Sequence, residues 1–199
     1  AVPYINGVQE QRIAACVKHY AANNQETKRF SVNAEIAERP LHEIYLRAYR
    51  DIVKEADPWT FMACYNKVNG LHGCEHHELL TEILFEKFKF DGFVMSDWFA
   101  TKSIKEPEKC IKAGLSLEMP TALTYTKKKL RASFEAKRFS EAEVDALLRR
   151  TLRVMVLTGV FDTNLPKGNR NTKEHQALAQ KMAENGMVLL KNDQNILPL

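Results

Sequence analysis

The chain has 199 residues, with 29 Lys and Arg against 25 Asp and Glu and a formal net charge of +4. Apolar residues make up 45% and charged residues 27%. That balance suits a buried core and excludes collagen-like, low-complexity and disordered chains. No apolar run approaches the roughly eighteen residues a membrane-spanning helix needs. Lys127-Lys128-Lys129 is the only tight basic cluster. It has no interleaved aromatics, so it reads as a solvated helix face, and neither nucleic acid nor membrane is expected as a partner.

Cys16, Cys64, Cys74 and Cys110 lie far apart and form no CxxC. Cys16 and Cys64 sit in apolar runs and read as small buried hydrophobes. Unpaired thiols and the lack of a leader pattern favour a reducing, cytoplasmic compartment. Cys74-Glu75-His76-His77 fits no standard zinc spacing, so no metal site is expected there. Ala1 and Leu199 both read as cut edges.

In chain order, Ile13 to Lys18, with apolar Ile13 to Val17, predicts a short buried strand. A polar loop runs from His19 to about Asn33. Leu41, Ile44, Tyr45, Ala48, Tyr49, Ile52 and Val53 recur at helical spacing between Pro40 and Glu55. Thr60 to Tyr65 predicts a second strand, and Asn66 to Gly73 a loop marked by Asn69-Gly70. His77 to Phe88 is a helix with Leu79, Leu80, Ile83 and Leu84 on one side. Asp91-Gly92 turns into the strand Phe93-Val94-Met95.

Lys105 to Ala113 predicts a short helix capped by Gly114, followed by a strand from Leu115 to Met119. Tyr125 to Lys137 is helical. Ser140 with Glu143 forms a capping box for a helix to about Leu157. Asp162 to Asn171 reads as linker, Lys173 to Asn185 as helix and Met187 to Leu190 as strand.

Strands alternating with helices imply an α/β fold with a parallel sheet. No GxGxxG or Walker string follows any strand, which weakens a nucleotide-binding reading. Polar groups instead end every predicted strand: Lys18-His19, Tyr65-Asn66, Ser96-Asp97-Trp98 and Glu118. In a (β/α)8 barrel that rim carries the active site. Four units cannot close an eight-stranded barrel, so the expectation is its C-terminal half.

Gly92-Phe-Val-Met-Ser-Asp-Trp98 is the sharpest constellation. A carboxylate beside an indole at a strand mouth can attack or stabilise a cationic carbon next to a flat apolar wall, which suits a sugar. Asp97 could equally cap the next helix, with Trp98 as packing. Lys18 and His19 can donate to ligand hydroxyls or form a surface pair. Tyr65 could set a phenol beside Asp97 or pack in the core. Glu118 could be a second carboxylate, or a barrel-floor or capping group.

Lys18-His-Tyr-Ala-Ala-Asn-Asn-Gln25, Tyr65-Asn-Lys-Val-Asn-Gly70, Gly92 to Trp98 and Leu117-Glu-Met-Pro120 stand in one order. Together they resemble the family 3 glycoside hydrolases, in the β-glucosidase branch. Gly186-Met-Val-Leu-Leu-Lys-Asn192 and Ile196-Leu-Pro-Leu199 resemble the start of that family's α/β-sandwich domain. The resemblance implies a partial barrel over residues 1–161, a linker over 162–172 and the first helix and strand of the sandwich over 173–199.

It implies a retaining mechanism with Asp97 as nucleophile and Trp98 as the wall of the first sugar subsite. Lys18 and His19 match the pair that holds the glucose hydroxyls, and Tyr65 the tyrosine beside the nucleophile. The acid/base glutamate of the family usually comes from the sandwich domain, so it is expected outside this chain. No cofactor is implied. The partners are a β-glucoside or oligosaccharide, the missing barrel half and the sandwich domain, with self-association through exposed sheet edges as a further expectation.

The branch that cleaves N-acetylglucosamine carries Lys-His-Phe-Pro-Gly-His-Gly. Here Lys18-His19 continues as Tyr20-Ala21-Ala22-Asn23, which favours glucosidase or xylosidase. Ser116 stands where relatives often have Asp, Lys89 where they often have Gly, and Ala37 and His76 replace a commoner Asp and Asn. A turn that needs positive φ at Lys89 would be strained. The competing reading is a non-catalytic truncated barrel that binds sugar or assembles with another chain.

Overall fold

A computed structural model of the chain describes residues 1–165 and 168–197. Pro166-Lys167 of the predicted linker and Pro198-Leu199 of the last quoted string lie outside the described residues. The chain divides into two compact units, Ala1–Phe161 and Asp162–Leu199.

The first unit is an α/β fold around a parallel sheet. Its strands β1 (Cys16–Tyr20), β3 (Thr60–Ala63), β6 (Phe93–Ser96) and β7 (Leu115–Leu117) lie side by side in sequence order. Each crossover carries a helix, as parallel neighbours require. The helices are α2 (Arg47–Ala56), α3 (Glu78–Lys87, wound as a π-helix) and α4 (Pro107–Ala113). A helical turn at Glu38–Pro40 and a π-helical stretch at Leu41–Tyr45 lead into α2. Helix α1 (Val2–Gln9) precedes β1 and was not expected from the sequence. Helices α5 (Lys127–Glu135) and α6 (Glu141–Leu157) follow β7, and both halves of the Ser140/Glu143 capping box form.

A second sheet lies inside segments predicted as loop. β2 (Asn33–Ala34) pairs with β4 (Lys67–Val68), which turns through Asn69-Gly70 into β5 (Leu71–His72). Both turn residues have positive φ, the conformation that favours Asn-Gly in tight hairpins. Asn69 exchanges hydrogen bonds with Ile36, and Gly70 N–H donates to the Asn33 side chain. The loop after β1 is thus tied to the hairpin after β3.

Leu79, Leu80, Ile83 and Leu84 of α3 are all buried against the sheet. Tyr20, Phe61, Phe90 and Phe85 form a chain of ring contacts 4.8–5.8 Å apart under it. Gly92 permits close approach at the start of β6, where a Cβ would collide with the Trp59 carbonyl. His76 is buried; it takes a hydrogen bond from Leu79 N–H on Nδ1, and Nε2 faces the Val68 carbonyl. That network needs a neutral ring, and burial lowers its pKa below the ordinary 6.5. Its contribution to stability is therefore full above about pH 6.5 and is lost as pH falls through the folded-state value. Thermal melts from pH 7.5 to 5 are expected to show this loss, reduced in His76→Gln. An identical slope in the variant would contradict the assignment.

Lys89 has φ 64 and an exposed side chain. The left-handed conformation costs a non-glycine residue about 1–2 kcal/mol, offset in part by the backbone freedom a glycine loses on folding. Lys89→Gly is expected to stabilise the fold by up to about 1 kcal/mol, raising Tm by about 2–4 °C. A lower Tm would contradict it.

Three expectations are corrected. The first strand is Cys16–Tyr20, not Ile13 to Lys18, so Lys18 and His19 lie within it. Cys16 is exposed, because β1 is an edge strand; Cys64 is buried as expected. The second unit contains α7 (Lys173–Gly186), capped by the Thr172 hydroxyl, but Met187 to Leu190 form no strand. Among the described residues no neighbouring strand pairs with that segment, and a lone strand leaves its backbone groups unpaired.

Candidate active site

The site is built on the ends of β1, β3, β6 and β7. β6 is buried and ends at Ser96, whose hydroxyl accepts from Met119 N–H at 2.8 Å and so locks the end of β6 to the segment after β7. Asp97 follows directly. It is 9% exposed, and its Oδ1 accepts from Trp98 N–H at 2.7 Å. The other oxygen, Oδ2, lies 3.2 Å from His19 Nε2.

His19 reaches Asp97 because β1 carries a bulge. Val17 pairs with Phe61 and Tyr20 with Ala63, so two residues, Lys18 and His19, oppose one. A bulge re-aims side chains at a strand end. The Lys18–His19 and Tyr20–Ala21 peptides are cis. Burial and then the Lys18 charge lower the His19 pKa, while Asp97 pulls it up less strongly. Neutral His19 thus offers Nε2–H to the carboxylate as a hydrogen bond.

Tyr65 lies just past β3, buried, with its phenol beside the Asp97 carboxylate. Burial first, then the neighbouring Asp97 carboxylate, push the phenol up to about 12, so it keeps its proton at neutral pH. Its ring lies tilted against Phe30, centroids 4.5 Å apart, and the Arg29 guanidinium sits 4.2 Å above it. Glu26 anchors Arg29 at 2.6 Å, and Lys102 Nζ covers the Phe30 ring at 3.7 Å. Arg29 and the Phe30 ring therefore buttress Tyr65, and Lys102 in turn covers Phe30.

The structure thus brings together Asp97, His19 and Tyr65. Trp98 is beside them and 57% exposed, open to a ligand rather than packed. Lys18 is exposed on β1 and acts on the site through its charge on His19. Glu118 is not free to act as a second carboxylate. It is 8% exposed and accepts from Thr101 Oγ1, Thr124 N and Tyr125 N. It holds the loop after β7. The sequence reading missed Arg29, Phe30 and Lys102. An aromatic flanked by a cation inside an otherwise polar loop was the available signal.

The Cys74-Glu75-His76-His77 string is structural at His76, and no cluster of three or more metal-ligating residues occurs among the described residues. The Ser116 hydroxyl is buried with no hydrogen-bond partner among the described residues.

The profile described as "Glycosyl hydrolase family 3 N terminal domain" matches residues 1–154. The chain is 39% identical over its whole length to "Thermostable beta-glucosidase B" of Acetivibrio thermocellus, covering 26% of that protein. It is 37% identical to "Exo-alpha-(1->6)-L-arabinopyranosidase" of Bifidobacterium longum, again covering 26%. The solved structure of β-glucosidase 3B from Thermotoga neapolitana in complex with glucose matches all of the chain with a TM-score of 0.89 at 36% identity. There the chain covers 28% of the solved protein. It thus spans about a quarter of the length of each of these relatives.

Proposed function

Because this chain belongs to glycosyl hydrolase family 3, we propose that it is the nucleophile-bearing part of a retaining β-glucosidase acting on terminal non-reducing β-D-glucosyl residues. The observation that carries this reading is the Asp97 carboxylate, held at the mouth of β6 by His19 and Tyr65 beside an exposed indole. That is a positioned anion with an apolar wall next to it, the arrangement that attack on a sugar carbon needs.

In this reading an Asp97 oxygen attacks the anomeric carbon. The bond to the leaving oxygen breaks as a second carboxyl group gives that oxygen its proton. Water then attacks the glycosyl ester, passing a proton to the same group, and Asp97 is released. Retaining chemistry sets the two carboxyl groups about 5–5.5 Å apart. Glu118 is committed to its loop and Glu26 to Arg29; the family resemblance implies that the acid/base comes from the sandwich domain, outside these 199 residues. Tyr65 and His19 steady the carboxylate. Lys18 and His19 serve the sugar hydroxyls, and Trp98 faces the C–H side of the ring.

Residues 1–161 are the C-terminal half of a (β/α)8 barrel in this account, 162–172 the linker and 173–199 the start of an α/β sandwich. β1 and β7 end the sheet, and the remaining barrel strands would pair with their free edges. The test is hydrolysis of aryl β-glucosides by the full polypeptide, followed by NMR of the first-formed sugar. β-Glucose first supports the reading. Release of α-glucose first contradicts it. Binding of glucose without turnover favours a sugar-binding module, and faster cleavage of the β-xyloside moves the specificity to that sugar.

A further inference from the structure

The bulge that turns His19 toward Asp97 has a structural cost at the backbone. Lys18 and His19 together oppose one residue of β3, so the ladder is interrupted between Val17 and Tyr20. The next ladder bond, from Cys64 N–H, goes to the Tyr20 carbonyl at 2.8 Å. The His19 carbonyl takes its hydrogen bond from outside the sheet. Tyr49 of α2 donates its hydroxyl to it at 2.7 Å.

Tyr49 is built for a fixed contact. Its ring lies edge-on to Tyr20 at 5.0 Å and tilted to Phe61 at 5.9 Å, so β1 and β3 hold it from both sides. Burial, and then the neighbouring Cys64 thiol, push its phenol up to about 12, so it keeps its proton at neutral pH. The same residue whose carbonyl it holds presents Nε2 to Asp97 at 3.2 Å.

We propose that Tyr49 is a positioning residue: it fixes the bulged backbone of His19 and thereby sets the imidazole against Asp97. The inference rests on the reading of Asp97 as the attacking group. It makes α2, on the outer layer of the sheet, part of the machinery that aims the site.

The test compares Tyr49→Phe with Val154→Ala in the full polypeptide. Val154 is buried on α6, whose sheet contacts are mainly with β6 and β7, so its truncation destabilises without removing the Tyr49 bond to the bulge. Each protein is inactivated with a 2-fluoro glucosyl donor bearing an activated leaving group. The rate constant at saturating donor reports geometry per folded molecule, and the final labelled fraction reports how much protein is folded. Tyr49→Phe is expected to lower that rate constant about ten-fold, the effect of one lost hydrogen bond, with the labelled fraction unchanged. Val154→Ala is expected to leave the rate constant as it is.

A wild-type rate constant in Tyr49→Phe, or an equal fall in Val154→Ala, overturns the proposal. NMR of the His19 imidazole separates this from failure of the functional reading. If wild-type protein forms no adduct at Asp97, that reading fails. The His19 resonances must still move in Tyr49→Phe and stay in place in Val154→Ala, and unchanged resonances in Tyr49→Phe overturn the positioning role.

Discussion

Asp97→Ala is expected to remove aryl β-glucosidase turnover by a factor on the order of 10⁴ or more, while leaving the fold nearly intact. The structural part of the change is small. Asp97 Oδ1 accepts from Trp98 N–H, and losing that acceptor costs about 1 kcal/mol. His19 and Tyr65 lose a shared partner but keep their other supports: the Tyr49 bond on the His19 carbonyl, and the Arg29 and Phe30 contacts on the Tyr65 ring. The chemical part is large, because the neighbouring carboxylates are occupied. Glu118 is tied to the loop after β7 and Glu26 to Arg29. In the truncated variant an added small anion such as azide can take the vacated place. The product is then the α-glucosyl azide. A variant that retains turnover, or loses it only in proportion to lost folded protein, would contradict the assignment.

Glu118→Ala is expected to be the most destabilising single change near the site, at about 3–5 kcal/mol. Removing the carboxylate leaves the buried Thr101 hydroxyl and Thr124 amide, and the half-buried Tyr125 amide, without their acceptor. Thr124 also donates to the Thr101 and Ile104 carbonyls, so the loops after β6 and β7 are held as one unit. Phe99 N–H donates to the Met119 carbonyl at the edge of that unit, two residues from Asp97. Loosening it therefore reaches Asp97. Urea unfolding measures the loss. A change below about 1 kcal/mol would show that the network is dispensable. Glu118→Gln is expected to be milder, because one carbonyl oxygen remains to accept, though its amide then faces backbone donors.

Much of the fold was legible because hydrophobic spacing carries it. Leu79, Leu80, Ile83 and Leu84 repeat on one helical face, and all four are buried. Ser140 and Glu143 announced the start of α6, and Gly114 closes α4 with φ 100, as a C-cap glycine does. Asp97 stood out because a carboxylate and an indole follow a buried strand.

The rest lay beyond local pattern. The Lys18-His19 bulge depends on the register between β1 and β3, which no single strand encodes. Arg29, Phe30 and Lys102 meet over Tyr65 from separate loops. Glu118 was ambiguous because its role is decided by amides six and seven residues downstream. Met187 to Leu190 has a strand's composition but no pairing strand among the described residues, and propensity alone does not make a strand.

The most direct test of the central claim is the intact mass of the polypeptide after incubation with a 2-fluoro glucosyl donor bearing an activated leaving group. Such a donor needs no acid catalyst, so it reports the nucleophile alone. The account predicts one added fluoroglucosyl group, mapped by peptide analysis to Asp97 and lost in Asp97→Ala. An adduct on another residue, or none on folded protein, would contradict it.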